Sequence, residues 1–77
     1  MIKWQDHIAS DPDVMFGKPC FTGTRIPVEL ILEKMAYGRS VQEVLDGYPK
    51  LTMESIQAAH LYALDAVRND IIYSDKP

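Results

Sequence analysis

Glycine and proline divide this chain into parts that differ sharply in what they can fold into. The 77-residue sequence has 4 glycines and 5 prolines, and 5 of these 9 residues lie between Asp11 and Pro27. Later breaks fall at Gly38, at Gly47 and at Pro49. Because these residue types interrupt helices, a long helix is possible only after Pro49. The sequence therefore predicts a turn-rich N-terminal part, then short helices and one longer helix.

The turn-rich part contains two short apolar pieces between its breakers. Residues 14–16 (Val-Met-Phe) follow an Asp-Pro-Asp sequence that suits a type I turn, and residues 20–21 (Cys-Phe) follow Gly-Lys-Pro. We interpret the two pieces as short strands of a hairpin, or as extended segments, around the Gly-Lys-Pro turn. A two-stranded hairpin is marginal in isolation, so we expect it to pack on helices or to pair with another copy.

Three helices follow, each with its own start and stop signals. The first helix starts at Pro27 as its first helical residue, and Gly38 is its expected left-handed end. Ser40 and Glu43 predict a capping box for the second helix, and Thr52 is the expected N-cap of the third. The expected lengths are about 11, 7 and 16 residues.

Apolar spacing indicates which side of each helix faces the core. The predicted stripes are Val28, Ile31, Leu32 and Met35 on the first helix, and Ile56, Ala59, Ala63 and Val67 on the third. We therefore predict a mainly α fold in one domain. It has a trihelical, homeodomain-like helix-turn-helix core over residues 27–68, preceded by an extended or β-hairpin segment over residues 8–27 and followed by a C-terminal tail over residues 69–77.

Composition limits the classes of function. The formal net charge is -3, which excludes a dominant basic field. The single cysteine, Cys20, excludes an internal disulfide. No apolar run approaches the roughly 20 residues of a membrane span, and the N-terminus has no apolar signal region. We therefore expect a soluble, cytoplasmic protein without a membrane segment.

Groups for catalysis or metal binding are sparse. Cys20 and His7 offer a nucleophile and a base, but nothing in their spacing specifies such a pair. His60 has no cysteine or second histidine at metal-ligand spacing. We therefore expect no enzymatic activity, no metal and no cofactor, and we expect Cys20 to be a buried small hydrophobe.

Three short helices with the longest one last are typical of a helix-turn-helix domain, in which the third helix reads DNA. The residues expected to be exposed at the start of that helix are Met53, Glu54, Ser55, Gln57 and Ala58. The candidate DNA contacts are Arg25, Arg39, Lys50, Thr52, Ser55 and Gln57. The acidic balance argues against tight autonomous binding. The alternative is a trihelical packing module that binds no nucleic acid.

One longer stretch is more specific. Its signature residues are Gly17, Lys18, Pro19, Gly23, Thr24, Arg25 and Pro27, and the similarity continues along roughly residues 8–66. On these residues the chain resembles domain-of-unknown-function family 433, a small bacterial and archaeal family grouped with VapB-like antitoxins. The resemblance implies a protein that binds and silences a PIN-like ribonuclease toxin and represses the shared operon by binding operator DNA.

Arg25 and the tail are the binding elements in this interpretation. Arg25 stands next to a helix start, where it can bind a carboxylate or a phosphate, or form a structural salt bridge that fixes the hairpin on the helices. The expected apolar anchors for the partner are Ile71, Ile72 and Tyr73 in the tail. Alternatively, the tail folds back on its own core or on a sister subunit.

The leading hypothesis is therefore an antitoxin-like homodimer without catalysis. The two alternatives are a DNA-binding transcriptional regulator without a toxin and a non-catalytic adaptor that binds another protein.

Overall fold

The computed structural model describes residues 2–69. A 3-10 turn (Trp4–Asp6) is followed by strand β1 (Ile8–Ala9), a second 3-10 turn (Met15–Gly17), strand β2 (Cys20–Phe21) and three helices, α1 (Val28–Ala36), α2 (Val41–Gly47) and α3 (Met53–Arg68). The strands are antiparallel, with Ile8 opposite Phe21 and Ala9 opposite Cys20. The predicted class, mainly α with a short N-terminal hairpin, is confirmed. None of the helices within residues 2–69 has the length and hydropathy that crossing a membrane requires.

The hairpin does not use both of the strands that the sequence predicts. The predicted strand over residues 14–16 is wrong, because Met15 and Phe16 have φ angles of 50° and 58° and lie in a left-handed turn with Gly17. Backbone in this region cannot continue a β-ladder. The strand that pairs with β2 is Ile8–Ala9, which is too short to show the alternation typical of a strand.

The helices begin at the predicted caps, with one shift. At α2 the Glu43 N–H donates to Ser40 Oγ at 3.1 Å, and the Ser40 N–H donates to Glu43 Oε1 at 2.9 Å, which confirms the capping box. At α3 the Ser55 N–H donates to Thr52 Oγ1 at 3.2 Å, which confirms that N-cap. Pro27 is the N-cap of α1 instead of its first helical residue, because its ψ of 141° is extended.

The core lies where the three helices meet β2. Its buried members are Ile8, Phe21, Val28, Ile31, Val44, Leu51, Ile56, Ala58 and Ala59. The predicted stripe of α3 is correct for Ile56 and Ala59 but wrong for Val67, which is 69% exposed. Each step of four residues turns a side chain by about 40° around a helix, so Val67 has rotated about 80° away from Ala59.

The 3-10 turn at Trp4–Asp6 packs against α3. The Trp4 ring meets the Tyr62 ring edge to face, with centroids 4.9 Å apart, and Trp4 Nε1 donates to Asp65 Oδ2 at 2.6 Å. The donor and acceptor are 61 residues apart in sequence. This contact ties the N-terminus to the last helix and covers one side of α3.

Candidate binding groove

An open groove of about 530 Å³ lies between the hairpin segment and the connection from α2 to α3. Most of its wall comes from residues 9–25, and Lys50 lines it from the helical side. Its charged lining consists of three basic side chains, Lys18, Arg25 and Lys50, and one carboxylate, Asp11. The groove is therefore locally cationic in a chain whose formal net charge is -3.

A tight turn after β2 positions Arg25. The Thr24 N–H donates to the Phe21 carbonyl at 3.0 Å, and the Thr24 hydroxyl donates to the same carbonyl at 2.7 Å while accepting from the Ile26 N–H at 3.0 Å. Gly23 occupies the third position of this turn with a φ of 78°, a conformation that side chains with a Cβ disfavour. The backbone that carries Arg25 is thus held on both sides.

Two backbone hydrogen bonds fix β2 to the start of α1. The Val28 N–H donates to the Pro19 carbonyl at 2.9 Å, and the Phe21 N–H donates to the Ile26 carbonyl at 3.1 Å. The first bond satisfies one of the free N–H groups at a helix N-terminus. Most of the signature residues therefore fix the backbone between β2 and α1. The two charged residues of the signature, Lys18 and Arg25, line the groove.

Asp11 belongs to the turn that the sequence predicts. The Asp13 N–H donates to Asp11 Oδ1 at 2.9 Å, and the Val14 N–H donates to the Asp11 carbonyl at 2.9 Å. The predicted turn is confirmed. Sequence reasoning missed that the Asp11 carboxylate also lines the groove, because only the folded hairpin brings it to the basic side chains.

The salt bridge between the hairpin segment and the helices is made by Lys18. Lys18 Nζ lies 3.3 Å from Glu29 Oε2 on α1, and both side chains are at least half exposed. An exposed pair of this kind contributes about 1 kcal/mol or less, so Lys18 can exchange Glu29 for another anion. Within residues 2–69 Arg25 forms no ion pair, so the structural salt bridge considered for it is absent from the described part of the chain.

A fully exposed aromatic side chain lies in residues 14–18, a segment whose two ends line the groove. Phe16 is 99% exposed, and it lies in the left-handed turn between Val14 and Lys18, which both line the groove. A bulky residue with positive φ is uncommon, and such strain concentrates at functional sites. No spacing rule identifies a single exposed phenylalanine, so the sequence carried no signal for it.

The residues predicted to contact DNA are spread over different surfaces. Arg25 and Lys50 line the cationic groove. Gln57 instead lines a second groove of about 310 Å³, beside Trp4. Arg39 is exposed in the connection from α1 to α2. The structure thus brings two of these cations together and leaves the third apart.

The start of α3 is less available for reading bases than the sequence predicts. Ser55 and Ala58 are buried, with exposures of 8% and 0%, so their expected exposure is wrong. The Ser55 hydroxyl accepts the Thr52 N–H at 3.0 Å, which completes a capping box between the two residues. The hydrogen bonds that start the helix therefore occupy Ser55 and Thr52.

The other candidate residues have simple placements. Cys20 is a free, buried thiol that is 4% exposed, which confirms the prediction of a small buried hydrophobe. His60 is exposed on α3. Among residues 2–69 no three His, Cys, Asp or Glu side chains are grouped closely enough to hold a metal ion. The predicted tail anchors Ile71, Ile72 and Tyr73 lie outside the described residues.

Comparison with known proteins defines the family. Residues 8–63 match the family described as Protein of unknown function (DUF433), and the chain belongs to this family. It is 39% identical over 56 residues to "Uncharacterized protein y4eO" of Sinorhizobium fredii (strain NBRC 101917 / NGR234), a match that covers 73% of this chain and 25% of the relative. It is also similar to the crystal structure of a DUF433 member from Anabaena variabilis ATCC 29413, with a TM-score of 0.73 and 34% identity.

The family match contains the groove. The structural similarity covers 83% of this chain and 64% of the Anabaena chain, and the chain spans about a quarter of the length of the Sinorhizobium relative. The family match over residues 8–63 includes every residue that lines the cationic groove. The family assignment that the signature predicted is therefore confirmed.

Proposed function

We propose that this protein is a cytoplasmic, antitoxin-like binding protein that binds and neutralises a PIN-like ribonuclease and catalyses no reaction itself. The observation that carries the proposal is the groove that is lined by three basic side chains, Lys18, Arg25 and Lys50, and by a single carboxylate. Such a groove binds anionic groups, and the guanidinium of Arg25 matches a carboxylate with two parallel hydrogen bonds.

The partner's anions are proposed to be the carboxylates of a nuclease active site. Nucleases that cleave RNA with metal ions hold those ions through carboxylates, which therefore cluster at the site. Cations placed on that cluster compete with the metal and block the RNA. The net charge of -3 disfavours long-range attraction to nucleic acid but permits this short-range contact.

The exposed aromatic side chain in the segment beside the groove supports a protein partner. Phe16 offers an exposed aromatic anchor, and Arg25 is a cation within the same segment of chain. Aromatic residues, phenylalanine among them, and arginine are enriched in the buried centres of protein–protein interfaces. A phosphate backbone would use the cations but would leave the Phe16 ring without a partner.

The first test is capture of the partner by the full-length chain. We expect the tagged protein, purified from its native cell, to bring down a small nuclease in stoichiometric amount, identified by mass spectrometry. Adding the wild-type protein to that nuclease is expected to suppress RNA cleavage. Capture of a protein without nuclease activity would instead support the adaptor alternative.

Matched charge reversals test the groove itself. We expect Arg25→Glu to weaken capture at least about tenfold, because it puts a like charge against the partner's carboxylates. Arg39→Glu is the control, since it makes the same charge change at an exposed position away from the groove. Equal effects of the two variants, or none from either, would contradict a binding role for the groove.

A DNA-binding regulator is the second candidate, because Arg25 and Lys50 in one groove also suit phosphate oxygens. In that case the protein binds the DNA upstream of its own gene, and the affinity falls steeply with salt. Lys50→Glu is expected to weaken this binding. It is also expected to reduce the slope of log affinity against log salt concentration by about one. A salt slope that Lys50→Glu does not change would remove Lys50 from a DNA interface.

A further inference from the structure

The exposed side of α3 carries a regular stripe. Its residues alternate in spacing between four and three positions: Met53, Gln57, His60, Leu64 and Val67. The three apolar members are 62%, 41% and 69% exposed, and they are half of the six exposed large hydrophobic residues in the described part of the chain. This spacing keeps side chains on one face and is the period at which two helices pack along a seam.

We infer that this stripe is a self-association surface on which α3 of a second copy packs antiparallel, with His60 near the twofold axis. Met53 and Val67 lie at equal distances on either side of His60, so an antiparallel copy brings the apolar end of one stripe to the apolar end of the other. His60 then meets His60 of the other copy in the middle of the contact, and Gln57 lies close to Leu64 of the other copy on either side of that centre. A polar centre between apolar ends fixes the register of two helices.

Charge complementarity selects the antiparallel arrangement. Glu54 lies in the first turn of α3 and Arg68 in the last turn. An antiparallel copy places Glu54 of one chain at the same end as Arg68 of the other, and it does so twice. A parallel copy would place Glu54 beside Glu54, and it would also align the two helix dipoles in the same direction.

The composition of the stripe also favours a second copy over nucleic acid. Between Met53 and Val67 α3 itself has no lysine or arginine, so along the stripe the helix offers no cation of its own to a phosphate. A contact over these 15 residues is about 21 Å long, which is short for a protein interface. We therefore expect a dimer that dissociates in the micromolar range and that adds buried apolar area to a small domain.

Sedimentation equilibrium of the full-length chain tests the inference. We expect wild-type protein to pass from monomer to dimer as its concentration rises from about 1 μM to about 1 mM. Leu64→Glu is expected to raise the dissociation constant at least about tenfold, because it places a charge in the seam. Ala66→Glu adds the same charge to the same helix at an exposed position away from the stripe, and it should leave the constant unchanged.

Two substitutions at the centre of the stripe sharpen the test. His60→Leu is expected to tighten the dimer about tenfold or more by replacing a polar contact with an apolar one. Under mild oxidation His60→Cys is expected to form a covalent dimer, whereas Met53→Cys is not, because antiparallel copies hold the two Met53 positions far apart. A wild-type protein that stays monomeric at 1 mM, or crosslinking at position 53 instead of 60, would overturn the inference.

Exchange of the end charges tests the direction independently. Glu54→Arg and Arg68→Glu are each expected to weaken the dimer, and the double variant is expected to restore it. The circular dichroism of each variant checks that the fold is intact. This inference does not rest on the proposed nuclease partner, since Arg25→Glu removes groove binding without touching α3, so failure of either proposal leaves the other testable.

Discussion

The two regions of this molecule hold their shape by different means. In the hairpin segment, residues 8–27, four residues have positive φ, and turn hydrogen bonds such as those of Thr24 and Asp11 define the path of the chain. In the helical region, from Val28 onward, Gly38 is the one described residue with positive φ. Seven of the nine members of the core cluster lie in this helical region. The comparison predicts that the helical region is sensitive to side-chain volume and the hairpin segment to backbone conformation.

The largest effect is expected from the core of the helical region. Ile31 is completely buried on α1, so Ile31→Ala removes transfer free energy and leaves a cavity. We expect it to lower the free energy of unfolding by about 2–5 kcal/mol, and Ile31→Val by about 0.5–1.5 kcal/mol. Urea denaturation followed by circular dichroism measures both. A loss below about 1 kcal/mol for Ile31→Ala would show that the core does not depend on volume in this way.

Two glycines separate conformation from packing. An added Cβ would meet no atom within 4 Å at either Gly23 or Gly47, but Gly23 has a φ of 78° in the hairpin segment whereas Gly47 ends α2 without a left-handed φ. We expect Gly23→Ala to destabilise by about 1–2 kcal/mol through backbone strain. Gly47→Ala is expected to stabilise by about 0.4–1 kcal/mol by restricting the unfolded chain. Chemical denaturation compares them, and shifts of the same sign would contradict the assignment of strain to the turn.

The turn that carries Phe16 gives a smaller effect of the opposite sign. Phe16 has φ 58° and ψ 33° and is almost completely exposed, so Phe16→Asn relieves strain and loses no burial. Because asparagine tolerates this conformation, we expect a gain of up to about 1 kcal/mol in thermal or urea unfolding. Tyr37 is an exposed aromatic with a φ of -93°, so Tyr37→Asn is the matched control and should give no such gain.

A stabilising Phe16 substitution would also connect stability with function. If the strained turn presents the ring to a partner, Phe16→Asn gains stability while capture of that partner weakens. A variant that is more stable and captures its partner as well as wild type would assign the turn a purely structural role.

The same comparison explains what could be predicted from the sequence. Helix starts depend on local chemistry, so Ser40, Glu43 and Thr52 identified α2 and α3 correctly. The strand over residues 14–16 was wrong because left-handed backbone at Met15 and Phe16 leaves no sequence pattern. The contact between Trp4 and Asp65 was missed because it joins residues 61 positions apart.

The candidate groove was predictable in its parts and not in its assembly. The family signature identified Lys18 and Arg25, and charge identified Lys50, but only the fold brings these three side chains to one surface. Ser55 was predicted to contact bases, but its hydroxyl accepts a hydrogen bond from the Thr52 N–H in the N-terminal cap of α3. Residues whose role is local were predicted well, whereas convergence of distant residues required the structure.

The smallest predicted effect tests a local hydrogen bond inside the helical region. The Ser40 N–H and hydroxyl bound to Glu43, together with nearby Arg39, hold the pKa of the Glu43 carboxyl below its usual range. A carboxyl with a lowered folded-state pKa stabilises the fold above its unfolded-state pKa, and this contribution is lost as the pH falls through the folded-state value. Glu43→Gln should therefore melt slightly below wild type at neutral pH, and the two melting temperatures should converge in acid.

Glu33→Gln, at an exposed position in the middle of α1, controls for loss of charge alone. A Glu43→Gln deficit that persists unchanged in acid would mean that the ionised form of Glu43 is not what stabilises the start of α2.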